Sequence, residues 1–407
     1  MENNVIFTVC AKNYLAQALT LKQSIEIIYP YVNFFIFLSD NIEGEELPEV
    51  VLLSEDWIPQ WKKMAFKYNV IEFSTSIKPF CIDYLFSKGY ENVLYIDPDI
   101  YVYKSLDDIF NILKSKSIVL TPHRCTMFDD MRGPTSELTV SLVGVYNLGF
   151  IGIRNDNIGK RVVSWWKKRL HDYCYDDKEQ GLFVDQKWMN FIVGYFPDDI
   201  YISHDLGLNM AIWNIQEREL FIEDDIYKVR SIEEPSKIYD LTFFHFSGYD
   251  PYKPDNIDKR VNNYTVREYP QYKKLLNDYR KAEMKNGYDK YHCMTYSFNS
   301  FSDSTLILPI NRRLYRVDTR MHNFVNPFDA QGEVYKQFKK SRLLSCKKVG
   351  KSTKKNQCGL KTFGFGSPRN YKLLLKIVGI DKYQIIMRLW NIFSRDENTT
   401  FLLNNKE

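Results

Sequence analysis

The sequence predicts an α/β fold, in which a Rossmann-like domain of alternating strands and helices precedes a mostly helical C-terminal extension. Strand and helix patterns alternate over residues 4–121, which favours βαβ units and a mainly parallel sheet. Two carboxylates, Asp97 and Asp99, directly follow a strand pattern. A basic segment and an apolar helical pattern lie near the end of the chain. We predict domains of residues 1–265 and 266–407.

The composition is that of a folded protein. The 407 residues are 44% hydrophobic and 15% aromatic, which excludes a mostly disordered chain. No apolar run is long enough to span a bilayer, and the early strand pattern predicts no signal peptide. The seven cysteines are odd in number and none has C-x-x-C spacing. We therefore expect reduced thiols in a cytoplasmic protein.

The predicted elements follow from the period of the apolar residues. Apolar β-prone runs predict strands at residues 5–9, 33–38, 93–96, 117–121 and 149–153. Helical periodicity predicts helices at residues 15–28, within 78–88, and at 159–173, 185–193 and 269–285. Residues 122–145, with Arg132, Gly133 and Pro134, are predicted to form a loop. The polar, proline-bearing residues 251–265 are predicted to close the first domain.

The most informative motif is Asp97-Pro98-Asp99. Pro98 cannot continue a sheet ladder, so the strand ends and both carboxylates lie at the carboxyl edge of the sheet, where open α/β folds bind ligands. The carboxylates repel each other unless a cation lies between them, and Mn²⁺ or Mg²⁺ suits oxygen ligands. Such an ion can hold a diphosphate and take up charge as it departs. The alternative is a solvated acidic turn.

Other motifs accompany the two carboxylates in a fixed order. They are residues 6–14, Lys78-Pro79-Phe80, residues 146–153, residues 185–190 and residues 244–250. As a set, the motifs resemble GT-A glycosyltransferases, in particular glycosyltransferase family 8 and its bacterial capsule and lipopolysaccharide relatives, over about residues 4–255. The resemblance implies a metal-dependent enzyme that moves a sugar from a nucleotide-diphospho-sugar, expected to be a UDP-sugar, to a glycan or glycolipid acceptor with retention of configuration.

The resemblance implies a metal site and a diphosphate contact. Asp97, Asp99 and His245 would ligate the metal, and the backbone at Gly248 would meet the diphosphate. A packed core histidine is the alternative for His245, because it follows an apolar run. The family's Lys-Pro-Trp-like continuation is replaced by Tyr249-Asp250-Pro251, and Lys253 is a weak substitute for the missing lysine.

Three further residues are expected near the nucleotide and its phosphates. In the resembling family, the loop that contains Thr8 and Asn13 holds the uridine and ribose, and Lys78 lies near the diphosphate or the two carboxylates. The alternatives are structural. Thr8 can be an ordinary strand residue, Asn13 a helix cap and Lys78 a helix-start residue before a proline.

The donor sugar is expected beside a second group of residues. The resemblance places Asn147 and Asp185 at the sugar and Gln186 at the reacting anomeric carbon. A helix cap is the alternative for Asp185. Asn209 and Trp213 fall in a segment similar to one in the bacterial relatives, where an aromatic ring can stack on a sugar or simply be buried.

Two other functions remain open at this level. A haloacid-dehalogenase-like phosphatase also uses D-x-D after a strand, with the first aspartate as nucleophile. Its motif usually lies near the N-terminus and has Thr or Val where this chain has Tyr101. The second is a non-catalytic glycan- or membrane-binding protein of the same fold.

The net charge of +4 conceals an uneven distribution. Residues 334–380 contain thirteen Lys and Arg and no Asp or Glu, so the rest of the chain, with 42 basic and 51 acidic residues, has a net charge of −9. Residues 371–393 are apolar enough for a helix. We expect residues 334–393 to contact an anionic membrane at its inner face. A solvated face is the alternative, and no motif supports nucleic-acid binding.

Overall fold

The computed structural model describes residues 3–42, 47–127, 136–260, 264–349 and 368–403. The chain divides into two compact units. The first comprises residues 1–61 and 70–296, and the second comprises residues 62–69 and 297–407. Residues 266–296 therefore belong to the first unit. The predicted boundary between a catalytic domain of residues 1–265 and an extension of residues 266–407 concerns which part can fold and act alone, and it stays a prediction.

The strands and helices are numbered in chain order. They are β1 (Asn4–Cys10), α1 (Leu15–Ile28), β2 (Asn33–Leu38), α2 (Trp61–Lys67), α3 (Val70–Ser76), α4 (Lys78–Ser87), β3 (Asn92–Ile96), β4 (Ile100–Val102), α5 (Asp107–Leu113), β5 (Ile118–Pro122), α6 (Glu137–Val143), β6 (Tyr146–Arg154), α7 (Asn157–Tyr173), β7 (Asp176–Asp177), β8 (Leu182–Phe183), α8 (Gln186–Tyr195), β9 (Ile200–Ile202), β10 (Met210–Ala211), β11 (Arg218–Glu223), β12 (Ile226–Ser231), β13 (Ile238–Asp240), β14 (Phe243–His245), α9 (Lys273–Lys285), α10 (Tyr288–Tyr291), α11 (Pro309–Val317), α12 (Glu333–Lys340), α13 (Pro368–Val378) and α14 (Ile380–Phe393).

The first unit is built on a six-stranded sheet of order β2-β1-β3-β6-β5-β9. Strand β1 is parallel to β2 and β3, and β5 is parallel to β9. Strand β6 is antiparallel to both β3 and β5. The sheet is thus mixed with mostly parallel pairs. Together with the helical second unit, it confirms the predicted α/β fold class with a mostly helical C-terminal part.

A second, three-stranded sheet of order β10-β14-β4 lies within the first unit. Its strand β4 begins at Ile100, immediately after the two carboxylates, and pairs antiparallel with β14 so that His245 lies opposite Ile100. The chain therefore leaves the large sheet at Ile96 and enters the small one four residues later. The sequence indicated the apolar run before His245 but not this sheet, because its strands have only two or three residues.

The predicted loop over residues 122–145 is wrong in part. Helix α6 occupies Glu137–Val143, and Ser136 caps it by accepting a hydrogen bond from the Thr139 backbone amide. None of the helix's residues is fully buried, so it lacks the buried apolar face that periodicity detects. The predicted turn residues Arg132, Gly133 and Pro134 lie outside the described part of the chain.

Buried apolar side chains form separate cores in the two units. In the first, Ile6, Leu94, Ile96 and Phe150 of the large sheet pack with side chains from α1 and α5. In the second, Phe66 packs with apolar residues of α11 and α12, and the buried Arg312 donates hydrogen bonds to backbone carbonyls of residues 65, 66, 68 and 298. Among the described helices, none is both long and apolar enough to cross a membrane.

Candidate active site

Asp97, Asp99 and His245 meet where the two sheets join. Each offers one ligand atom, and these atoms all lie within 4.8 Å of one another. Nε2 of His245 lies 3.1 Å from Oδ1 of Asp99 and 3.7 Å from Oδ2 of Asp97. Two carboxylates and an imidazole suit a divalent transition metal such as Mn²⁺. The residues predicted as metal ligands are thus brought together in the fold.

Backbone pairing fixes the positions of these three side chains. The Asp97 amide donates to the carbonyl of Gly149 at 2.7 Å, and the Phe246 amide donates to the carbonyl of Asp99 at 2.8 Å. Gly149 allows the close approach, because a Cβ atom there would lie 2.5 Å from Cε1 of His245. Any other residue would therefore displace the imidazole.

Charge holds His245 against the carboxylates. Burial lowers the pKa of the imidazole, but Asp99 and Asp97 outweigh burial and raise that pKa above its usual value. Burial likewise acts to raise the pKa of Asp99, yet His245 holds it below the usual range. The two carboxylates thus favour the positively charged form of the imidazole. A bound cation would supply that charge instead and release the proton.

A buried lysine links the metal-ligand cluster to the start of helix α8. Lys78 is 2% exposed. Its ammonium lies 2.8 Å from Oδ2 of Asp185 and 3.5 Å from Oδ1 of Asp97, and it donates to the carbonyl of Leu148 at 2.9 Å. Lys78, predicted near the diphosphate, and Asp185, predicted near the donor sugar, are thus in direct contact. Asp185 does not cap α8 with its side chain, so the cap interpretation of this residue is wrong.

The Lys78–Asp185 pair shows how strongly burial acts in this part of the site. Burial raises the pKa of the Asp185 carboxyl, and the ammonium of Lys78 only partly opposes the effect. Burial lowers the pKa of Lys78, but Asp185 and Asp97 outweigh it and raise that pKa. Tyr95 adds a further contact, since its hydroxyl donates to Asp97 and its ring lies 4.2 Å from the Lys78 ammonium.

Asn147 lies in a buried polar network. Its Oδ1 accepts from the Gly149 amide at 3.1 Å and from Nδ2 of Asn209 at 3.3 Å, and its Nδ2 lies 3.2 Å from Nε2 of His123. Burial lowers the pKa of His123 to about 4, so its neutral Nε2 can accept that bond. Trp213 packs edge-on against both His123 and His245, at 5.5 Å and 5.0 Å between ring centroids.

Gln186 is held at the first position of α8. Its Nε2 donates to the carbonyl of Val143 at 2.9 Å, and its Oε1 accepts from the Leu148 amide at 3.5 Å. The side-chain amide of Gln186 thus connects the start of α8 to the last residue of α6 and to strand β6, which carries Asn147. Gln186 is buried beside Asp185, in keeping with the predicted grouping of these residues.

Thr8 and Asn13 carry polar atoms without a hydrogen-bond partner in the described structure. Thr8 is fully buried near the end of β1, and both its Oγ1 and Oδ1 of Asn13 are inaccessible and unpaired. Buried polar groups without partners are uncommon and need an explanation. Gly248, the remaining predicted residue, has a φ of 78°, and a Cβ atom there would lie 2.6 Å from Oδ1 of Asp258.

Arg260 is a site residue that sequence reasoning missed. Its guanidinium pairs with the buried Asp258 and donates to the carbonyl and hydroxyl of Ser247 at 3.1 Å and 3.2 Å. It also lies close enough to Asp99 to help lower the pKa of that carboxyl. The arginine comes from the polar segment that we assigned to the end of the domain, and no motif distinguishes it there. Lys253, the predicted substitute cation, is exposed.

Comparison with known proteins gives the following similarities. No protein-family model matches the chain. The chain is 25% identical over 272 residues to the uncharacterized protein YfnF of Bacillus subtilis (strain 168), a match that covers 65% of this chain and 87% of YfnF. Similar solved structures include the galactosyltransferase LgtC with donor and acceptor sugar analogs, at 12% identity and a TM-score of 0.40, covering 69% of this chain and 95% of LgtC.

Two further similar solved structures are also of glycosyltransferases. The glycosyltransferase GlyE of Streptococcus pneumoniae TIGR4 is 14% identical with a TM-score of 0.38, covering 79% of this chain and 80% of GlyE. The bifunctional glycosyltransferase WbbM is 15% identical with a TM-score of 0.40, covering 70% of this chain and 51% of WbbM.

Proposed function

We propose that this protein is a metal-dependent glycosyltransferase, which moves a sugar from a nucleotide-diphospho-sugar, a UDP-sugar by the resemblance of its motifs, to a glycan or lipid-linked acceptor. The observation that carries the proposal is the convergence of Asp97, Asp99 and His245 within 4.8 Å. Lys78 and Asp185 lie directly beside this cluster. A metal site next to a buried cation suits a diphosphate leaving group.

The proposed cofactor is Mn²⁺ or Mg²⁺, held by Asp97, Asp99 and His245. When bound, it would neutralise charge on the diphosphate. Asp97 is held in place for this role by the Tyr95 hydroxyl and the Lys78 ammonium. Arg260 provides a second cation beside Asp99 and takes the place that we first assigned to Lys253. The Gly248 backbone and the residues Thr8 and Asn13 are proposed to contact the nucleotide diphosphate.

The donor sugar is proposed to lie against Asn147, Asp185 and Gln186. The unpaired Oγ1 of Thr8 and Oδ1 of Asn13 would find hydrogen-bond partners on the nucleotide of the same bound donor. Asp185 is tied to Lys78 and would orient sugar hydroxyls. Gln186 is a weak nucleophile and no base, so retention of configuration is proposed, because inversion needs a carboxylate base for the acceptor hydroxyl.

The setting proposed is the cytoplasmic assembly of a surface polysaccharide or glycolipid. The odd number of cysteines and the lack of C-x-x-C spacing support a reducing compartment.

A screen of nucleotide sugars by thermal shift tests the donor. A true donor stabilises the folded protein by mass action, and the shift should need Mn²⁺ or Mg²⁺. The matching nucleotide sugar should then be hydrolysed slowly in the presence of the metal. The Asp97→Asn variant should lose both responses, and the Asp108→Asn variant, changed at an exposed carboxylate, should keep them.

Two results would contradict the proposal. Release of phosphate from sugar phosphates without a nucleotide would favour a phosphatase. Absence of any metal-dependent donor response would favour a non-catalytic binding protein. Once a donor is found, the NMR coupling of the product's anomeric proton decides the stereochemistry, and inversion would overturn the role given to Gln186.

A further inference from the structure

The last two α-helices that the structure describes, α13 and α14, expose apolar side chains to an unusual degree. On α13, Leu373 and Ile377 are 57% and 72% exposed. On α14, the exposed residues Ile385, Leu389, Ile392 and Phe393 follow the i, i+4, i+7, i+8 spacing of a single helical face. We call these six side chains the hairpin faces. Soluble surfaces rarely present so many large apolar groups close together.

The two helices form one folded piece. Helix α13 ends at Val378, Gly379 has a φ of 76°, and α14 begins at Ile380. The rings of Tyr371 and Trp390 meet across the pair with centroids 6.5 Å apart. Phe401 extends the apolar surface, since its ring packs edge-on against Phe393 at 5.6 Å. The hairpin faces therefore belong to a packed hairpin whose outer sides are apolar.

Positive charges accompany the hairpin faces. Lys376 lies next to Ile377 on α13, while Lys382 lies one turn before Ile385 and Arg388 next to Leu389 on α14. All three side chains are exposed. Residues 334–380, which include Lys376, contain thirteen Lys and Arg and no Asp or Glu. An apolar helix face with basic residues beside it complements a surface that is apolar within and anionic at its edge.

We propose that the hairpin formed by α13 and α14 docks on an anionic lipid membrane. The apolar side chains of the hairpin faces enter the boundary between headgroups and acyl chains, and the basic side chains contact anionic headgroups. Helix α14 has 14 residues, or about 21 Å of length, enough to hold its four apolar residues at one depth when it lies flat. This inference is independent of the proposed activity, because docking needs no turnover.

Vesicle sedimentation with the full-length chain tests the charge component. The probes are phosphatidylcholine vesicles with and without phosphatidylglycerol. Wild type should bind the anionic vesicles and release them as salt increases. The variant Lys376→Gln/Lys382→Gln/Arg388→Gln should bind on the order of 100-fold more weakly, since each basic residue near the surface adds about 1 kcal/mol of attraction. The control Lys160→Gln/Lys281→Gln/Lys285→Gln removes equal charge from exposed sites elsewhere and should bind like wild type.

A second pair of variants tests the apolar component. Ile377→Ser/Ile385→Ser should weaken binding about 10-fold or more, because two isoleucine side chains that the membrane would bury are lost from the contact. The control Ile27→Ser/Ile71→Ser changes residues of similar exposure, 68% and 65%, and should have no effect. Binding to neutral and anionic vesicles alike, or equal binding by hairpin and control variants, would overturn the proposal. So would a wild-type dimer that the isoleucine variant converts to a monomer, because a second copy would then cover the hairpin faces.

Discussion

The candidate active site and the C-terminal hairpin both reverse the usual distribution of side chains, but in opposite senses. In the active site, charged groups are buried, with Lys78 at 2% exposure. In the hairpin, apolar groups are exposed, with Ile377 at 72%. Burying a charge and exposing a large apolar group both cost free energy, so each region must be stabilised by something else.

In the active site, the cost of burying charge is offset by other groups of the protein. In the hairpin, no described group offsets the cost of exposing apolar side chains. Lys78 has Asp185, Asp97 and the Leu148 carbonyl within contact distance, so its charge is neutralised within the protein. The exposed residues of the hairpin are not covered by any described part of the chain. The comparison teaches that the buried charges of the site are balanced within the protein, whereas the apolar residues of the hairpin are left uncovered for the membrane that we propose.

The largest effect is expected at the metal ligands. Asp97→Asn, Asp99→Asn and His245→Ala should each lower turnover of a donor sugar on the order of 10²–10³-fold or more, because charge on the leaving group is no longer stabilised. The fold should persist, since the Asp97 and Asp99 side chains are 25% and 18% exposed at the edge of the sheets. Rates with saturating Mn²⁺, and thermal unfolding of each variant, are the measurements.

One result would contradict the assignment of the metal ligands. If all three variants turned over at the rate of wild type, the cluster would be a structural ion pair only. The exposed Asp108→Asn variant is the matched control, and it should change neither the rate nor the unfolding temperature.

The next largest effect concerns the buried pair of Lys78 and Asp185. Replacing one partner, as in Lys78→Met, leaves the other charge buried and unpaired, which should lower the free energy of unfolding by roughly 3–5 kcal/mol. The double variant Lys78→Met/Asp185→Leu should recover part of the loss. Denaturant unfolding of the single and double variants gives the coupling.

An exposed ion pair provides the contrast for Lys78. Lys167 pairs with Asp83 at side-chain exposures of 27% and 53%, and Lys167→Met should cost only about 0–1 kcal/mol. Equal losses for the Lys78 and Lys167 variants would mean that the buried pair is not what organises the site.

A smaller effect is expected from a single methyl group at Gly149. In Gly149→Ala, the new Cβ atom would lie 2.5 Å from Cε1 of His245 and push the imidazole away. The Mn²⁺ affinity should fall about 10-fold or more, as when groups that orient a metal ligand are changed. Titration by isothermal calorimetry measures it. Gly194→Ala, where a Cβ atom has no atom within 4 Å, should instead stabilise α8 by about 0.5–1 kcal/mol. Unchanged metal affinity in Gly149→Ala would separate His245 from the metal.

The sequence predicted five of the six strands of the large sheet, all but β9, and it indicated the proposed metal ligands, because these signals are local. The apolar runs of β1, β2 and β3 are long enough to show a strand pattern, and Pro98 marks the end of β3. The predicted bounds of α1 and β2 agree with the structure to the residue. His245 was found through its motif and not through any property of its strand, which is three residues long.

The remaining features depend on contacts that are distant in sequence. Arg260 reaches the site through Asp258 and Ser247, and nothing in its own segment indicates the contact. The pairing of Lys78 with Asp185 joins residues more than a hundred positions apart. Helix α6 has no buried residue, and its apolar residues Leu138, Val140 and Leu142 recur at every second position, which is the period of a strand. In the hairpin, the excess of basic residues was visible in the sequence, but which side of each helix is exposed was not.

The smallest effect is expected at Glu283, a carboxyl group that is buried without being neutralised. It is 2% exposed, and its Oε2 atom has no hydrogen-bond partner in the described structure. One turn earlier on α9, Tyr279 stacks on Phe246 with ring centroids 3.7 Å apart, so Glu283 lies behind the segment that carries His245. Burial, with the nearby charge of Asp99, raises the pKa of Glu283 well above 4.5.

The raised pKa fixes the direction of the pH dependence. Below pH 4.5, Glu283 is protonated in the folded and unfolded states alike, so it does not change the free energy of unfolding with pH. As the pH rises above 4.5, the unfolded state loses the proton while the folded state keeps it, so stability falls until the pH passes the folded-state pKa. Glu283→Gln should remove this loss. Its unfolding temperature should exceed that of wild type by a few degrees at neutral pH, and the difference should vanish near pH 4. Scanning calorimetry with a metal chelator measures both, and Glu26→Gln, at an exposed helical position, should show no such pH-dependent gain. Parallel curves for wild type and Glu283→Gln would mean that the pKa of Glu283 is not raised in the folded protein.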